Sequence, residues 1–358
     1  MEQKKVLLAM SGGVDSSASA ILLKKQGYEV IGATMKLWKD EECVNNASSC
    51  LSNSTITDAK KVCEYLGIPH YVFDFEKEFK KYVVNNFIAQ YEQVKTPNPC
   101  IECNKYLKFS LLYEKAKELG IEYIATGHYA KTCYIEKYNG YVIKKASSVR
   151  KDQSYVLYTI PKELVSKIIF PLGDFTEKSE VRKIVEQEGL TIASKPESQE
   201  ICFIPDNNHC GFLLRNLKNK PKEGNIVNTK GEILGKHKGI MFHTIGQRKG
   251  LGISSKTPLY IIKLDATKNE IILGTEKETY CTELYANELN YLLIDKLTKP
   301  IEIKAKVRYS TFETEGILYP IEQNKVKVEF KTPVRAITPG QSVVFYVDDC
   351  VLGGGKIM

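Results

Sequence analysis

The chain has 358 residues, of which 43% are hydrophobic and 26% charged, and it carries a net charge of +8. That length accommodates two or three domains of ordinary globular composition. The absence of any run of about 18 apolar residues excludes a helical membrane span. The mild positive excess permits a polyanionic partner such as RNA without requiring one.

The first half alternates strand and helix. Met1–Lys5 leads straight into the apolar run Val6–Met10 with no secretory signal between, so a cytoplasmic location is expected. Lys5–Met10 reads as a buried strand, Ser16–Gln26 as a helix stopped by Gly27, and Glu29–Met35 as the next strand. Asp58–Leu66 is helical, Tyr71–Phe73 a short strand, Asn104–Leu119 a helix, and Ile121–Thr126 a strand leading to Gly127 and His128. Such alternation implies a parallel α/β sheet with ligands at the carboxyl ends of its strands. A hairpin is expected over Cys133–Tyr138 and Tyr141–Ala146, turning on Asn139-Gly140 as a two-residue loop with positive φ at both positions. Glu177–Glu188 is a further helix. Beyond about Pro205 the alternation gives way to short β-like runs. From about Thr282 the strands Ile301–Tyr309, Gly316–Ile321, Lys325–Phe330 and Ser342–Val347 suggest a small barrel. The expected divisions are residues 1–205, 206–281 and 282–358.

Three stretches carry chemistry. The first, Ser11-Gly12-Gly13-Val14-Asp15-Ser16, joins the first strand to the first helix. Its glycines let the main chain close round phosphate oxygens, and the helix dipole adds positive potential. The loop lacks the lysine and the spacing of a Walker motif. An acid inside a phosphate loop repels a bare anion, so Asp15 is expected to hold Mg²⁺ bridging the phosphates. The second stretch, Thr96-Pro97-Asn98-Pro99-Cys100-Ile101-Glu102-Cys103-Asn104-Lys105, has a stiff entry and places Cys103 near a helix start. That end of the dipole, with Lys105 and Lys108, favours a thiolate. The third, Pro196–Ile204, contains Cys202 between Ile201 and Phe203, a setting that taken alone suits a core cysteine. The ten cysteines are expected to be thiols, with Cys63 and Cys133 structural.

The loop Ser11–Ser16 resembles the PP-loop of N-type ATP pyrophosphatases, and its combination with Cys103 and Cys202 resembles the bacterial tRNA-specific 2-thiouridylases. Met35–Trp38, Ala125–Tyr129, Lys151–Tyr155 and His243–Gly252 match in the same order, so the resemblance spans nearly the whole chain. It implies a PP-loop catalytic domain, a small central domain and a C-terminal β-barrel. It implies that Ala9, Met10, Ser11, Gly12, Gly13, Val14, Asp15, Ser16, Met35 and Gly127 bind ATP, and that Cys103 is the nucleophile and Cys202 the persulfide carrier. Asn98, Pro99 and Cys100 would lie by the target base, while Lys151, Asp152, Gln153, Arg308 and Tyr309 would touch tRNA. The implied reaction is 2-thiolation of a wobble uridine, with a cysteine desulfurase or sulfur-carrier protein as sulfur source. Many family members have Asp where this chain has Cys100. That departure opens a second chemistry, in which Cys100, Cys103 and Cys202 hold a [4Fe-4S] cluster. A small-molecule PP-loop ligase and a noncatalytic RNA-binding protein are the rival readings.

Overall fold

A computed structural model describes residues 3–38, 53–195, 201–204, 206–322 and 324–358. Its elements run β1 (Lys5–Ala9), α1 (Val14–Lys25), β2 (Glu29–Lys36), α2 (Asn53–Leu66), β3 (His70–Asp74), α3 (Glu76–Phe79), α4 (Asn85–Glu92), α5 (Pro99–Cys103) and α6 (Leu112–Glu118). They continue through β4 (Tyr123–Ala125), β5 (Ala130–Ile135), β6 (Gly140–Lys145), β7 (Ile168–Ile169), α7 (Lys178–Gln187) and α8 (His209–Asn216). The remainder is β: β8 (Gly224–Asn228), β9 (Ile233–His237), β10 (Tyr260–Asp265), β11 (Glu270–Gly274), β12 (Tyr280–Tyr291), β13 (Ile301–Lys306), β14 (Thr314–Glu322), β15 (Lys325–Arg335), β16 (Ser342–Val347) and β17 (Cys350–Ile357).

The chain forms two compact units. The first holds residues 1–84, 100–207 and 349–351; the second holds 85–99, 208–348 and 352–358.

In the first unit a parallel sheet has the order β3-β2-β1-β4-β7. The chain builds outward from β1 to β3, then crosses to β4 on the other side, so the switch point lies between β1 and β4. The crevice at such a point is where α/β sheets bind ligands. Apolar residues of β1 (Val6, Leu8), α1 (Ala18, Ile21), α2 (Val62, Cys63) and α7 (Val181, Val185) form one core and fix the three helices against the sheet. The helix expected from Asn104 begins earlier, at Pro99, where a missing N–H costs nothing. It continues through a π-helical stretch, Asn104–Leu111, into α6. The β5–β6 hairpin pairs Ile135 with Gly140, so its loop is the four residues Glu136–Asn139 rather than Asn139-Gly140. A 3₁₀ turn fills that loop and Asn139 alone takes positive φ (+46°).

In the second unit β10-β11-β8-β9 form a four-stranded sheet. β12-β15-β14-β13-β16-β17 follow, with β12 also paired to β17, so the six strands close into a barrel. β15 shows the alternation closure needs: Val326, Val328 and Phe330 are buried, and Lys325, Lys327 and Glu329 are not.

Candidate active site

The loop after β1 occupies the switch point. α1 begins behind Gly13, whose side supplies no capping group, so the first-turn N–H groups stay directed toward the loop opening. The loop is cross-tied from within. Ser16 Oγ accepts from Ser11 N at 3.3 Å and donates to the Gly13 carbonyl at 3.1 Å, and Ser17 Oγ donates to the same carbonyl at 2.9 Å. Gly12 has φ +60°, and a Cβ there would sit 2.6 Å from the Thr55 carbonyl. Gly127, following β4, is needed for another reason: a Cβ would lie 3.1 Å from Asp15 and 3.2 Å from the Ser16 nitrogen. The neighbouring strand end therefore packs directly on the loop. Met10 is fixed to β2 through its N–H to Ala33 O (2.8 Å) and its carbonyl, which accepts from Thr34 Oγ1 at 2.9 Å. Met35, partly exposed at the carboxyl end of β2, pairs in register with Phe73.

Asp15 is held by two residues that sequence reading did not single out. Tyr129 Oη donates to its Oδ1 at 3.0 Å, and Lys178, the first residue of α7, ion-pairs with the same oxygen and lies over the Tyr129 ring. Lys195 reaches the far side of the loop, bonding Asp58 Oδ2 at 2.9 Å and the Gly12 carbonyl at 3.3 Å. No local signal links these residues to the loop, since Tyr129 and Lys178 stand 114 and 163 positions away. His128 is buried and neutral: burial, then the charge of Lys108, holds its pKa well below 6.5, and Nδ1 bonds Thr126 Oγ1 at 2.8 Å.

Lys151, Asp152 and Gln153 divide in role. Asp152 is buried and spends its carboxylate on the main-chain N–H of Ala146 (2.9 Å) and on the Ser154 hydroxyl (2.8 Å). Gln153 Oε1 accepts from Tyr129 N at 2.9 Å, and Gln153 N donates to Tyr129 O at 2.8 Å. The two build the loop under Tyr129. In the second unit Arg308 Nη2 donates to the carbonyls of Ile245 and Ala336, each at 2.9 Å, and to Thr338 Oγ1. Those bonds tie down the His243–Gly252 segment. Tyr309 beside it is 41% exposed, with Lys306 over its ring.

Cys100 is exposed and stands in the first turn of α5; Cys103 closes that helix, partly exposed. The earlier helix start puts Cys100, more than Cys103, at the positive end of the dipole. The helix is braced by Asn104, whose buried Nδ2 donates to the Val156 carbonyl at 2.9 Å, and by Tyr106, which stacks on Tyr82 at 4.5 Å. Cys202 is partly exposed in the short segment Ile201–Ile204; residues 196–200 lie outside the described residues. Its neighbour Phe203 stacks on Trp38 (6.4 Å) and meets Phe79 edge-on (5.8 Å). Phe79 leads directly into the turn that carries Tyr82, so one segment supports both cysteine-bearing stretches. Cys63 contrasts with them: fully buried, its thiol is pushed up to about 12 by burial and then by Glu64. Among the described residues no group of three or more His, Cys, Asp or Glu gathers to hold a metal.

Upstream of Cys100, Thr96 is anchored within the second unit. Its N–H donates to Pro339 O at 3.0 Å, its carbonyl accepts from Gln341 Nε2 at 2.8 Å, and its hydroxyl bonds that of Thr244 at 3.1 Å. Gly340 permits the approach: its φ is +88° and a Cβ would meet Lys95 at 2.8 Å. The His243–Gly252 signature thus helps to hold the chain just before Asn98 and Pro99.

A parallel sheet with an uncapped glycine phosphate loop at its switch point defines a nucleotide-binding α/β enzyme domain. The family model described as the tRNA methyl transferase HUP domain matches residues 4–206, with the corresponding PRC-barrel domain at 211–275 and an aminomethyltransferase β-barrel domain at 281–357. A tRNA-specific 2-thiouridylase MnmA from Acetivibrio thermocellus is 50% identical over 100% of both chains. Relatives of the same name from Halothermothrix orenii (50%, covering 99% of this chain and 98% of its own) and Clostridium beijerinckii (49%, covering 99% of each) agree. The chain belongs to the tRNA-specific 2-thiouridylase family. The word methyl transferase in two of the domain descriptions disagrees with the names of these full-length relatives. The relatives weigh more, because they span every part of the chain.

Proposed function

We propose that the chain is a cytoplasmic tRNA-uridine 2-sulfurtransferase that uses ATP to replace the C2 oxygen of a wobble uridine with sulfur. The reading is supported by one conjunction: a single compact unit carries an uncapped phosphate loop and two partly exposed cysteines, on stretches braced by the same Phe79–Tyr82 segment. Methyl transfer calls for neither.

ATP binds over Ala9–Ser16, Met35 and Gly127, with its phosphates against the α1 N-terminus. Asp15 fits Mg²⁺ as the ion is commonly held, by one carboxylate together with substrate phosphates; the ion would neutralise phosphate charge. The uracil C2 oxygen attacks the α-phosphorus and pyrophosphate leaves, which makes that oxygen part of a good leaving group. The terminal sulfur of a Cys202 persulfide attacks C2 and AMP departs. Cys103 thiolate then attacks Cys202 Sγ, leaving sulfur on the base and a Cys103–Cys202 disulfide for an external thiol to reduce. A cysteine desulfurase or carrier protein reloads Cys202. The persulfide route requires only Cys103 and Cys202, and no step is assigned to a cluster.

Asn98, Pro99 and Cys100 face the extruded base, and Lys151 and Tyr309 meet the tRNA. The test is incubation with unmodified tRNA, ATP, cysteine and a desulfurase, followed by assay of pyrophosphate and nucleoside mass spectrometry. Equal pyrophosphate and 2-thiouridine, both requiring tRNA, are expected. Pyrophosphate released without tRNA, or tRNA gaining no sulfur, would defeat the reading.

A further inference from the structure

The phosphate loop contains no lysine, yet ATP brings several negative charges to it. A Walker loop answers that charge with a lysine of its own. Here the fold delivers cations from elsewhere. Lys178 enters at the start of α7, its side chain is only 14% exposed, and its ammonium ends on Asp15 Oδ1 and over the Tyr129 ring. Lys195 comes to the loop's other side but is occupied by Asp58 and the Gly12 carbonyl, the side on which Gly12 abuts Thr55 and Asp58. Of the two, Lys178 stands at the acid that the proposed reading gives to Mg²⁺.

We infer that Lys178 is a catalytic residue that contacts the β- and γ-phosphates of ATP and stabilises the departing pyrophosphate. This rests on the ATP-using reading above. In the structure Asp15 compensates the ammonium. With Mg·ATP bound, Asp15 would hold the ion and the Lys178 ammonium would be released to the phosphate oxygens. A flexible four-carbon stem with three donors suits that exchange. Asp15 and Lys178 thereby hold each other's charge when the phosphates are not there to do so.

A purely structural role is the alternative, because Lys178 also joins α7 to α1. Lys25–Glu188, at 2.7 Å, joins the same two helices away from the loop and serves as control. The experiment is calorimetric titration of the full chain with Mg·ATP, Mg·pyrophosphate and AMP. Lys178→Met keeps the stem and removes the charge. It should weaken ATP and pyrophosphate about 10- to 100-fold, the value of a hydrogen bond to a charged group, and change AMP less than about twofold. Lys25→Ala should leave all three unchanged. Equal loss for AMP and ATP, or no loss for either, overturns the assignment. On the parent chain, a pyridoxal diphosphoadenosine probe followed by borohydride should label Lys178 and be blocked by ATP; labelling of another lysine instead also overturns it. A parent chain that binds no ATP would sink the ATP-using reading itself, a different failure.

Discussion

Tyr129 donates its hydroxyl to Asp15 over 3.0 Å, and its own main chain is gripped at the N–H and the carbonyl by Gln153. The Gln153 carbonyl accepts from Val156 N at 3.1 Å, and the Val156 carbonyl accepts from Asn104, the residue after Cys103. The acid of the phosphate loop and the helix that carries Cys103 are therefore fastened to one turn. The proposed reaction activates and attacks one carbon in a single geometry, and misplacement of about 1 Å is costly in such a site.

Asp15→Asn should keep the fold, since the amide still accepts from Tyr129. It should lower tRNA-dependent pyrophosphate release about 100- to 1000-fold, the scale of losing one preorganised electrostatic contact. Turnover near that of the parent at saturating Mg²⁺ would remove Asp15 from the chemistry.

Lys151 and its neighbours should separate cleanly. Lys151→Ala should reduce the slope of log affinity for tRNA against log salt by about one, with little change in melting. Asp152→Ala leaves a buried N–H and a buried hydroxyl without their acceptor, so it should destabilise by about 1–3 kcal/mol in chemical denaturation. Arg308→Ala should behave like Asp152→Ala, because its Nη2 holds two carbonyls and a hydroxyl. An unchanged salt slope for Lys151→Ala, or an unaltered denaturation midpoint for Arg308→Ala, would contradict these roles.

The parts of the site legible in the sequence are those fixed by neighbours in the chain. β1, the glycine loop and α1 follow one another, and Gly127 closes a strand, so local pattern sufficed. Tyr129, Lys178 and Lys195 act on the loop from more than a hundred residues away, and nothing in their own surroundings says so. Asp152 and Gln153 matched a family stretch expected to contact tRNA, but their acceptors turn inward to main-chain N–H groups, a direction that sequence does not carry. β12 and β17 went unread for a different reason. Gly353, Gly354 and Gly355 interrupt any alternation in β17, and Glu288 takes positive φ (+48°) in β12. The glycines are required by the pairing itself: a Cβ on Gly353 would lie 2.2 Å from the Asn290 carbonyl.

Stability should fall with acid below about pH 6.5. Folded His128 resists protonation, since burial and then Lys108 hold its pKa well below that value, whereas the unfolded chain takes up the proton near it. Its contribution is complete above the unfolded pKa and is lost as pH drops toward the folded one, by about 1.4 kcal/mol per pH unit for one proton. His70, His237 and His243 are shifted the same way, each chiefly by burial. Denaturation between pH 8 and pH 5.5 should show the decline, and His128→Gln should make it shallower. An identical slope in that variant would show that His128 is not among its causes.

The cysteines offer the sharpest contrast. Cys63 is buried with a thiol pushed up to about 12, so Cys63→Ser should leave thiolation within about twofold and cost only packing. Cys103→Ser and Cys202→Ser should each abolish 2-thiouridine. After incubation with desulfurase and cysteine, the added sulfur should appear by mass spectrometry on Cys202, including in the Cys103→Ser chain. Cys100 decides between the two routes left open by the sequence. It is exposed in the first turn of α5, and no metal-holding group forms round it among the described residues. A persulfide route requires Cys202 and Cys103 only, so Cys100→Ser should retain sulfur loading and most of the thiolation rate in iron-free protein. A cluster route requires a third thiolate. It predicts a brown protein after anaerobic reconstitution with iron and sulfide, and joint loss of colour and activity in Cys100→Ser. Full turnover of the iron-free Cys100→Ser chain with a persulfide donor is the expected result. An iron requirement shared by all three cysteines would replace the persulfide mechanism.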